Sequence, residues 1–336
     1  MKSRILIAGG YGVIGTNIAR NIRKIYKDVE LILAGRNPEN GESLAQELGG
    51  ARTIYLDLTN PQSLEAIRFD QFDLIVAALK DPFDILSRAA IEHNIAHIGL
   101  SEMADEIVPI LFKGLQSSLK RPIVLLAHQD AGVITLIAKK AADKFSQINS
   151  IEIAGVYDDL DLLGPMNQSD YEDSSGLTER TLLLENGKWI WVDPAMYVRK
   201  VQITKDLVLN GFPVSLLDVP SLAAITNAAS IRWDYVQGDS IGTIAGDNPS
   251  HDTYIDIEGT LQDGDTAKHR IVVSDPKGQA HLVGIGVLVG IERIFGLGGQ
   301  EPAAGGLHLP ETLVNPDAAI SRLEQFGVKI STHSIK

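Results

Sequence analysis

Short apolar runs alternate with helical patterns in the first part of the chain. From Arg4 to Arg36 the sequence reads RILIAGGYGVIGTNIARNIRKIYKDVELILAGR. An apolar run, a glycine-rich turn, a helical pattern to about Tyr26 and a second apolar run predict a strand, a turn, a helix and a strand. Further strands are predicted at 53–56, 72–78, 97–100 and 122–127, with helical patterns between them. This alternation predicts an α/β fold with a doubly wound parallel sheet, the Rossmann fold.

The pattern changes at about residue 150, where β-like stretches replace the alternation. These stretches lie at 151–156, 188–192, 254–259 and 269–274. In the third, Ile255 and Ile257 alternate with Asp256 and Glu258, which is typical of an antiparallel strand with one solvated face. The second part of the chain is therefore predicted to be an inserted α+β domain with a mixed sheet.

The last part of the chain returns to helical patterns. A buried helix is predicted at 282–295, a capped helix near Asn315 and Pro316, and a short strand near Val328. We expect this tail to rejoin the first domain. The predicted division is then 1–147 with 300–336 as the Rossmann domain, and 148–299 as the inserted substrate domain.

The glycine-rich turn predicts a dinucleotide site. Gly10 permits a sharp turn, Gly12 permits close approach of a pyrophosphate, and Gly15 permits the helix to lie close to the sheet. A purely structural turn is the alternative, and a nucleotide-binding P-loop is disfavoured because its lysine is missing. The predicted cofactor contacts in this turn are Gly9, Gly10, Tyr11, Gly12, Val13, Ile14 and Gly15.

The end of the second strand predicts which cofactor binds. Gly35 stands where an NAD site carries an acid, and the following Arg36 attracts the 2′-phosphate of NADP. NADP is therefore favoured, although Arg36 can also be interpreted as a solvated surface cation. Asn37 completes this group of predicted contacts.

The ends of later strands add four further cofactor contacts to the prediction. Asp57 and Leu58 follow the third strand, on the adenine side, although Asp57 can equally be a turn cap. Ala77 and Ala78 end the next strand and are small enough for the nicotinamide ribose to pass closely.

The loop after the strand at 122–127 and an acidic stretch at 158–173 supply the catalytic candidates. His128 and Asp130 precede a long helix, and Asp130 has an alternative role as its N-cap. Tyr171 lies in the acidic stretch, which is interpreted as a loop or lid because its carboxylates match no calcium loop. Trp189 and Trp191 point to one face of a strand and indicate packing or a dimer surface.

Composition narrows the class of protein. The chain has 336 residues, a formal charge of -13 and no cysteine. The acidic balance argues against nucleic-acid binding, and the missing cysteines exclude disulfides and thiolate metal sites. No signal peptide precedes the first strand, and the apolar stretches do not predict a membrane span. We expect a cytoplasmic enzyme that acts on a small-molecule substrate and holds no metal.

Several segments together resemble the saccharopine dehydrogenase-like family. They are GGYGVIG, LAGRN, LDLTN, AAIEHNIAHIGLSE, IDIEGTLQDGDTAKHRIVVSDPKGQAHLVGIGVL and GGLHLPETLVNPDAAISRLEQFGVKI. The resemblance implies a Rossmann domain completed by the C-terminal segment, an inserted domain that holds the substrate, and a homodimer. It also implies pyrophosphate binding by Tyr11 to Ile14 and 2′-phosphate binding by Arg36. The chain departs from the family pattern at Ala131, where a proline is usual before Gly132.

Members of this family join an amine to a keto acid through an imine that NAD(P)H reduces, or catalyse the reverse oxidation. The resemblance therefore implies an NADP-dependent oxidoreductase acting on CH–NH groups of an amino-acid-derived substrate. Candidate cationic anchors for that substrate are Arg180, Arg199 and Lys200, although a surface charge is the favoured interpretation of each.

Two other functions compete with this hypothesis. A non-catalytic NADP-binding sensor or regulatory protein fits the same cofactor motif. A short-chain dehydrogenase or epimerase is disfavoured because Tyr-x-x-x-Lys is absent; Tyr197 and Lys200 miss that spacing by one residue.

Overall fold

The computed structural model describes residues 3–81, 83–100, 104–161 and 180–335, and the chain divides into two compact units. The first unit comprises Met1–Ala131 and Val283–Val314, and the second comprises Gly132–Leu282 and Asn315–Lys336. This division differs from the predicted one at both ends of the inserted domain. The segment 132–147 and the tail from Asn315 belong to the second unit, whereas most of the predicted buried helix belongs to the first.

Strands and helices alternate in the first unit, and long strands dominate the second. The strands are β1 (Arg4–Ala8), β2 (Glu30–Gly35), β3 (Ala51–Tyr55), β4 (Leu74–Ala77), β5 (Ala96–Gly99), β6 (Pro122–Leu125), β7 (Phe145–Tyr157), β8 (Thr181–Glu185), β9 (Lys188–Val192), β10 (Arg199–Gln202), β11 (Val208–Pro213), β12 (Ser230–Gln237), β13 (His251–Leu261), β14 (Thr266–Asp275), β15 (Gly306–His308) and β16 (Lys329–Ile335). The helices are α1 (Val13–Ile25), α2 (Glu42–Leu48), α3 (Pro61–Glu65), α4 (Ile85–His93), α5 (Ala104–Gln116), α6 (Val133–Ala142), α7 (Asp218–Thr226), α8 (Ile241–Ala245), α9 (Gln279–Phe295), α10 (Pro310–Leu313) and α11 (Pro316–Phe326).

The sheet of the first unit is parallel and has the order β15-β6-β5-β4-β1-β2-β3. Its central strands are fully buried: Ile5, Leu6 and Ile7 all have 0% exposure, so both faces are covered. This burial explains why the strands read as continuous apolar runs rather than as alternating ones. The predicted doubly wound Rossmann sheet is confirmed.

The second unit contains a mixed sheet of the order β10-β11-β12-β7-β13-β14-β16, with the β8–β9 hairpin joined to β12. Strands β12 and β7 are parallel, and the neighbouring pairs on either side are antiparallel. The predicted mixed sheet is therefore confirmed. The tail, however, does not return to the first sheet, because β16 pairs with β14 along Lys268–Ser274. This pairing satisfies backbone groups that β14 would otherwise leave at an open edge.

The alternation in β13 has a different cause from the predicted solvated face. Ile255 and Ile257 are fully buried, but Asp256 is also only 4% exposed. Its carboxylate accepts two hydrogen bonds of 2.6 Å from the Arg270 guanidinium on β14. A bidentate ion pair of this kind lets a carboxylate be buried in a sheet.

His97 is a buried polar residue in the middle of β5. It is 2% exposed, and neither ring nitrogen has a hydrogen-bond partner within the described part of the chain. Burial lowers the pKa of His97 to about 4 because the surroundings disfavour the charged imidazolium. The ring is therefore neutral in the folded protein at neutral pH.

This burial predicts a pH dependence of stability. The unfolded chain binds a proton at His97 below a pKa of about 6.5, whereas the folded chain resists it until about pH 4. The contribution of neutral His97 to stability is therefore fully present above about pH 6.5 and is lost as the pH falls. By pH 5 the free energy of unfolding is lower by about 2 kcal/mol because of His97. Urea unfolding between about pH 7.5 and pH 5 should show a loss about 2 kcal/mol smaller for His97→Leu than for wild type. Equal losses would contradict the assignment.

Candidate functional site

The glycine-rich turn connects β1 to α1 at the carboxyl edge of the first sheet. Gly9 has a φ of 77°, and its N–H donates to the Ala34 carbonyl at 2.8 Å. The Gly12 N–H donates back to the Gly9 carbonyl at 3.0 Å, which closes the turn. Gly12 is then the N-cap of α1, with no side-chain cap in the described structure and no acidic residue in the first turn. Helix N–H groups and the positive end of the helix dipole are thus available to an anion at this turn.

The glycines of this turn have different surroundings. A Cβ on Gly15 would overlap the Gly9 carbonyl oxygen, and one on Gly10 would lie 2.9 Å from the Leu33 Cα. A Cβ on Gly12 would meet only the Gly9 oxygen, at 3.2 Å, and Gly12 is exposed. Gly15 and Gly10 therefore permit packing within the protein, whereas Gly12 leaves its outer side open. The predicted pyrophosphate contact at Gly12 requires an open side of this kind.

This difference predicts that an alanine substitution lowers stability at Gly15 and cofactor binding at Gly12. Gly15→Ala should lower the free energy of unfolding by about 2 kcal/mol or more, because the methyl group meets backbone that cannot move away. Gly12→Ala should change it by no more than about 0.5 kcal/mol, yet weaken NADPH binding at least about tenfold. Urea unfolding and fluorescence titration with NADPH measure the two effects. Retained NADPH affinity in Gly12→Ala would show that no ligand approaches this backbone.

Tyr11 occupies the space beside the end of β2. A Cβ on Gly35 would lie 2.6 Å from the Tyr11 Cζ, and one on Gly41 would lie 2.6 Å from its Cδ1. The Asn37 N–H donates to the Tyr11 hydroxyl at 3.0 Å. Burial raises the pKa of Tyr11, so the phenol stays protonated at neutral pH. Glycine at position 35 thus leaves the Tyr11 ring its place, a relation that the motif alone did not reveal.

Arg36 and Asp57 lie near each other at the same edge of the sheet. Arg36 is exposed, and its guanidinium has no hydrogen bond or ion pair with any described residue. Asp57 accepts hydrogen bonds from the Thr59 hydroxyl at 2.8 Å and from its N–H at 3.0 Å. These bonds, with a smaller effect of the Arg36 charge, hold the pKa of Asp57 below its usual range. Asp57 therefore stabilises the turn after β3, which is its predicted alternative role, and Leu58 is half-buried beside it.

The Tyr11 ring predicts that cofactor preference cannot be reversed at Gly35 alone. Gly35→Asp supplies the acid of an NAD site, but its Cβ overlaps Tyr11, so binding of NADPH and NADH should both fall at least about tenfold. In Tyr11→Ala/Gly35→Asp the ring is absent, and NADH should then bind more tightly than NADPH. Tyr11→Ala alone is the control for loss of the ring. If Gly35→Asp alone prefers NADH, the steric argument is wrong.

The end of β4 adjoins the glycine turn. The Ala78 N–H donates to the Ala8 carbonyl at 2.9 Å, and a Cβ on Gly9 would lie 2.5 Å from the Ala78 oxygen. Ala77 is buried and Ala78 is half-buried. The structure thus brings Ala78 against the turn that follows β1, as expected for the crevice between the two halves of such a sheet.

A further polar residue near this edge, Asp81, was not singled out in the sequence. Its carboxylate accepts hydrogen bonds from the Ile85 N–H at 2.9 Å and the Leu86 N–H at 2.7 Å, which caps α4. Burial raises the pKa of Asp81 despite these bonds. The signal in the sequence was its position before a helical pattern, four residues ahead of Ile85.

The loop after β6 contains two of the catalytic candidates, and both are buried. His128 and Asp130 are each 2% exposed. The His128 Nε2 lies 3.6 Å from the Glu311 Oε2. Burial lowers the pKa of His128 to about 4, although the charge of Glu311 opposes this shift. His128 is therefore neutral at neutral pH in this conformation. The third catalytic candidate, Tyr171, lies outside the described residues.

The backbone of this loop is left-handed at consecutive residues. Asp130, Ala131 and Gly132 have φ values of 52°, 52° and 80°. Gly132, rather than Asp130, is the N-cap residue of α6. Proline, which requires a φ near −65°, cannot adopt the conformation of Ala131. The departure from the family pattern therefore coincides with a backbone that proline would exclude.

The predicted anchors in the second unit have varied surroundings. Arg199 is paired with the buried Asp234 and lies 3.6 Å from the Glu152 carboxylate, so it is not a free cation. Lys200 donates to the Asn210 side chain at 2.7 Å, and Arg180 is exposed. In the described ranges, no group of acidic or histidine side chains is arranged to hold a metal ion. No described helix combines the length and the apolar character that a membrane span requires.

The comparisons with known proteins agree with this architecture. The TrkA-N domain matches residues 5–96, the segment that contains the glycine turn and Arg36. Saccharopine dehydrogenase (L-Glu forming) from Saccharomyces cerevisiae superposes over 100% of both chains with a TM-score of 0.73 at 13% sequence identity. The chain has the saccharopine dehydrogenase fold.

A second structure with this fold is homospermidine synthase from Legionella pneumophila in complex with NAD. It covers 99% of this chain and 91% of its own, with a TM-score of 0.67 at 9% identity. No curated protein sequence matches the chain significantly. The fold resemblance predicted from the sequence is thus confirmed, and the first unit has the fold of a Rossmann domain.

Proposed function

We propose that the protein is an NADP-dependent oxidoreductase that transfers a hydride to or from a C=N or C–N centre of an amino-acid-derived substrate. The main support is the full-length match to saccharopine dehydrogenase at a TM-score of 0.73, combined with an intact glycine turn. A Rossmann domain alone would support only nucleotide binding. The match over the whole chain extends the likeness to the second unit, where the family resemblance implies that the substrate is held.

The residues at the edge of the first sheet have the chemistry to hold NADP. The N–H groups at the start of α1, next to Gly12, would bind the pyrophosphate. Arg36 has no competing partner among the described residues and would bind the 2′-phosphate, with Asn37 beside it. NADPH then supplies the hydride, and the protein supplies binding and orientation. We favour NADP over NAD because no carboxylate stands at Gly35.

Reduction of a C=N bond also requires a fixed acceptor carbon and a source of one proton. His128 is neutral and buried, so it would orient neighbouring groups rather than exchange protons with solvent. Asp130 and Tyr171 remain the candidates for a group near the reacting atoms.

The burial of His128 and Asp130 also favours a second candidate, an NADP-binding sensor without catalysis. Each of these residues is 2% exposed, which is unusual for a group that exchanges protons with a substrate. A sensor requires only the cofactor site, and none of the residues proposed to bind NADP is a catalytic candidate. The experiment must therefore separate binding from turnover.

Deuterium transfer distinguishes the two functions. Purified protein is incubated with NADPH deuterated at C4 and a panel of amine and 2-keto-acid pairs, and the products are measured by mass spectrometry. The enzyme should place one deuterium in a secondary amine product, and Gly12→Ala should reduce the rate at least about tenfold. Tight NADPH binding with no labelled amine from any pair would favour the sensor.

The homodimer implied by the family remains a prediction. Trp189 and Trp191 on β9 are 47% and 61% exposed in the single chain, which fits their predicted role at a dimer surface. Sedimentation of wild type and Trp191→Glu would test it, since a charge at the interface should shift the protein towards monomer.

A further inference from the structure

Three neighbouring strands of the second sheet place Trp233, Gly155 and Thr253 on one face. In the β12–β7–β13 register, Tyr235 and Thr253 lie directly opposite Gly155. Trp233 is two residues before Tyr235 on β12, so its side chain is on the same face. The Trp233 indole and the Thr253 hydroxyl therefore flank a glycine that has no side chain of its own.

Both of these polar groups are buried, and neither has a partner in the described part of the chain. Trp233 and Thr253 are each 1% exposed. Within the described residues, neither the Trp233 Nε1 nor the Thr253 Oγ1 makes a hydrogen bond. An unpaired buried donor destabilises a fold, and most native structures avoid it. Two such groups on the same face indicate that something other than stability accounts for them.

Gly155 leaves room for a group of about methyl size beside the indole. A Cβ at this position would lie 3.7 Å from the Trp233 Nε1 and 3.4 Å from the Tyr157 Cε2, both of which are ordinary contacts. Gly155 has no positive φ and lies in regular strand pairing. Neither the backbone nor close packing therefore requires glycine here, and its effect is to keep room for at least a methyl group next to the Trp233 N–H.

Aromatic residues continue this face towards the carboxyl end of β7. Tyr157 stacks on Tyr235 with ring centroids 4.5 Å apart, and His251 packs edge-on against Tyr157 at 6.0 Å. Both tyrosines are half-buried, so this end of the row reaches solvent. A ligand that reaches Gly155 from this end must displace the tyrosine side chains.

We propose that Gly155, Trp233 and Thr253 form a binding site for an acceptor oxygen of a small molecule, a carboxylate or a carbonyl. The indole N–H can only donate, so the ligand atom must be an acceptor. The threonine hydroxyl can donate to the same group or to its second oxygen. That this ligand is the substrate rests on the proposed function, whereas binding itself does not.

The test uses Trp233 as its own reporter. The chain has three tryptophans, so Trp189→Phe/Trp191→Phe leaves Trp233 as the only one. Its emission is titrated with acetate, pyruvate and 2-oxoglutarate up to about 10 mM, where millimolar binding is still detected. At least one probe should change the emission in a saturable way. Thr253→Val and Gly155→Ala, made in the same background, should each weaken that binding at least about tenfold.

The controls separate loss of the site from loss of the fold. Thr253→Val removes a hydroxyl that bonds to no residue in the described ranges, so its urea midpoint should stay equal or rise. NADPH binding should be unchanged in Thr253→Val and Gly155→Ala. Cofactor binding, on which the proposed function depends, is thus measured separately from probe binding beside Trp233.

Two outcomes overturn the proposal. One is emission that none of the probes changes. The other is a saturable response that is equal in the parent, Thr253→Val and Gly155→Ala, which would place the probe elsewhere and leave the two donors to an internal water.

Discussion

The close backbone approach at the start of α1 is the constraint on which the cofactor site depends. Gly15 lies so close to the Gly9 carbonyl that a methyl group would overlap it, and Gly10 lies similarly close to Leu33. This close approach fixes the start of α1 beside the end of β1. The first N–H groups of the helix therefore lie next to Gly12, its N-cap. The same turn carries Tyr11 onto Gly35 and Gly41, so the glycine turn and the end of β2 share one packing arrangement.

The second sheet follows a different rule, which is that buried charge is paired. Arg270 holds Asp256 in two hydrogen bonds, and Asp234 is held by Arg199 and Arg232. Such pairs let carboxylates lie within a sheet without an uncompensated charge. The neutral Trp233 N–H and Thr253 hydroxyl are also buried, but neither has a partner among the residues that the structure describes, and this contrast makes them candidates for binding a ligand.

Local patterns were sufficient to predict six of the seven strands of the first sheet, all except β15. Its strands are buried on both faces, so each appears as an apolar run, and the glycine turn has a spacing that few other structures need. Contacts between distant residues were not predictable in this way. Tyr11 meets Gly35 only after β1 and β2 pair, and the pairing of β16 with β14 depends on an open edge that no local pattern marks. The burial of His128 beside Glu311 was not predictable either, because the two residues are distant in the sequence.

The most direct test of the account is a fluorescence titration of cofactor-free protein with NADPH and with NADH. Wild type is compared with Arg36→Ala, and Arg68→Ala, an exposed arginine ahead of β4, is the matched control. We predict that wild type binds NADPH at least about tenfold more tightly than NADH, and that Arg36→Ala alone removes most of this difference. Equal affinities in wild type, or a preference that survives in Arg36→Ala, would contradict the assignment of the 2′-phosphate site. Absence of binding by both nucleotides would contradict the cofactor site as a whole.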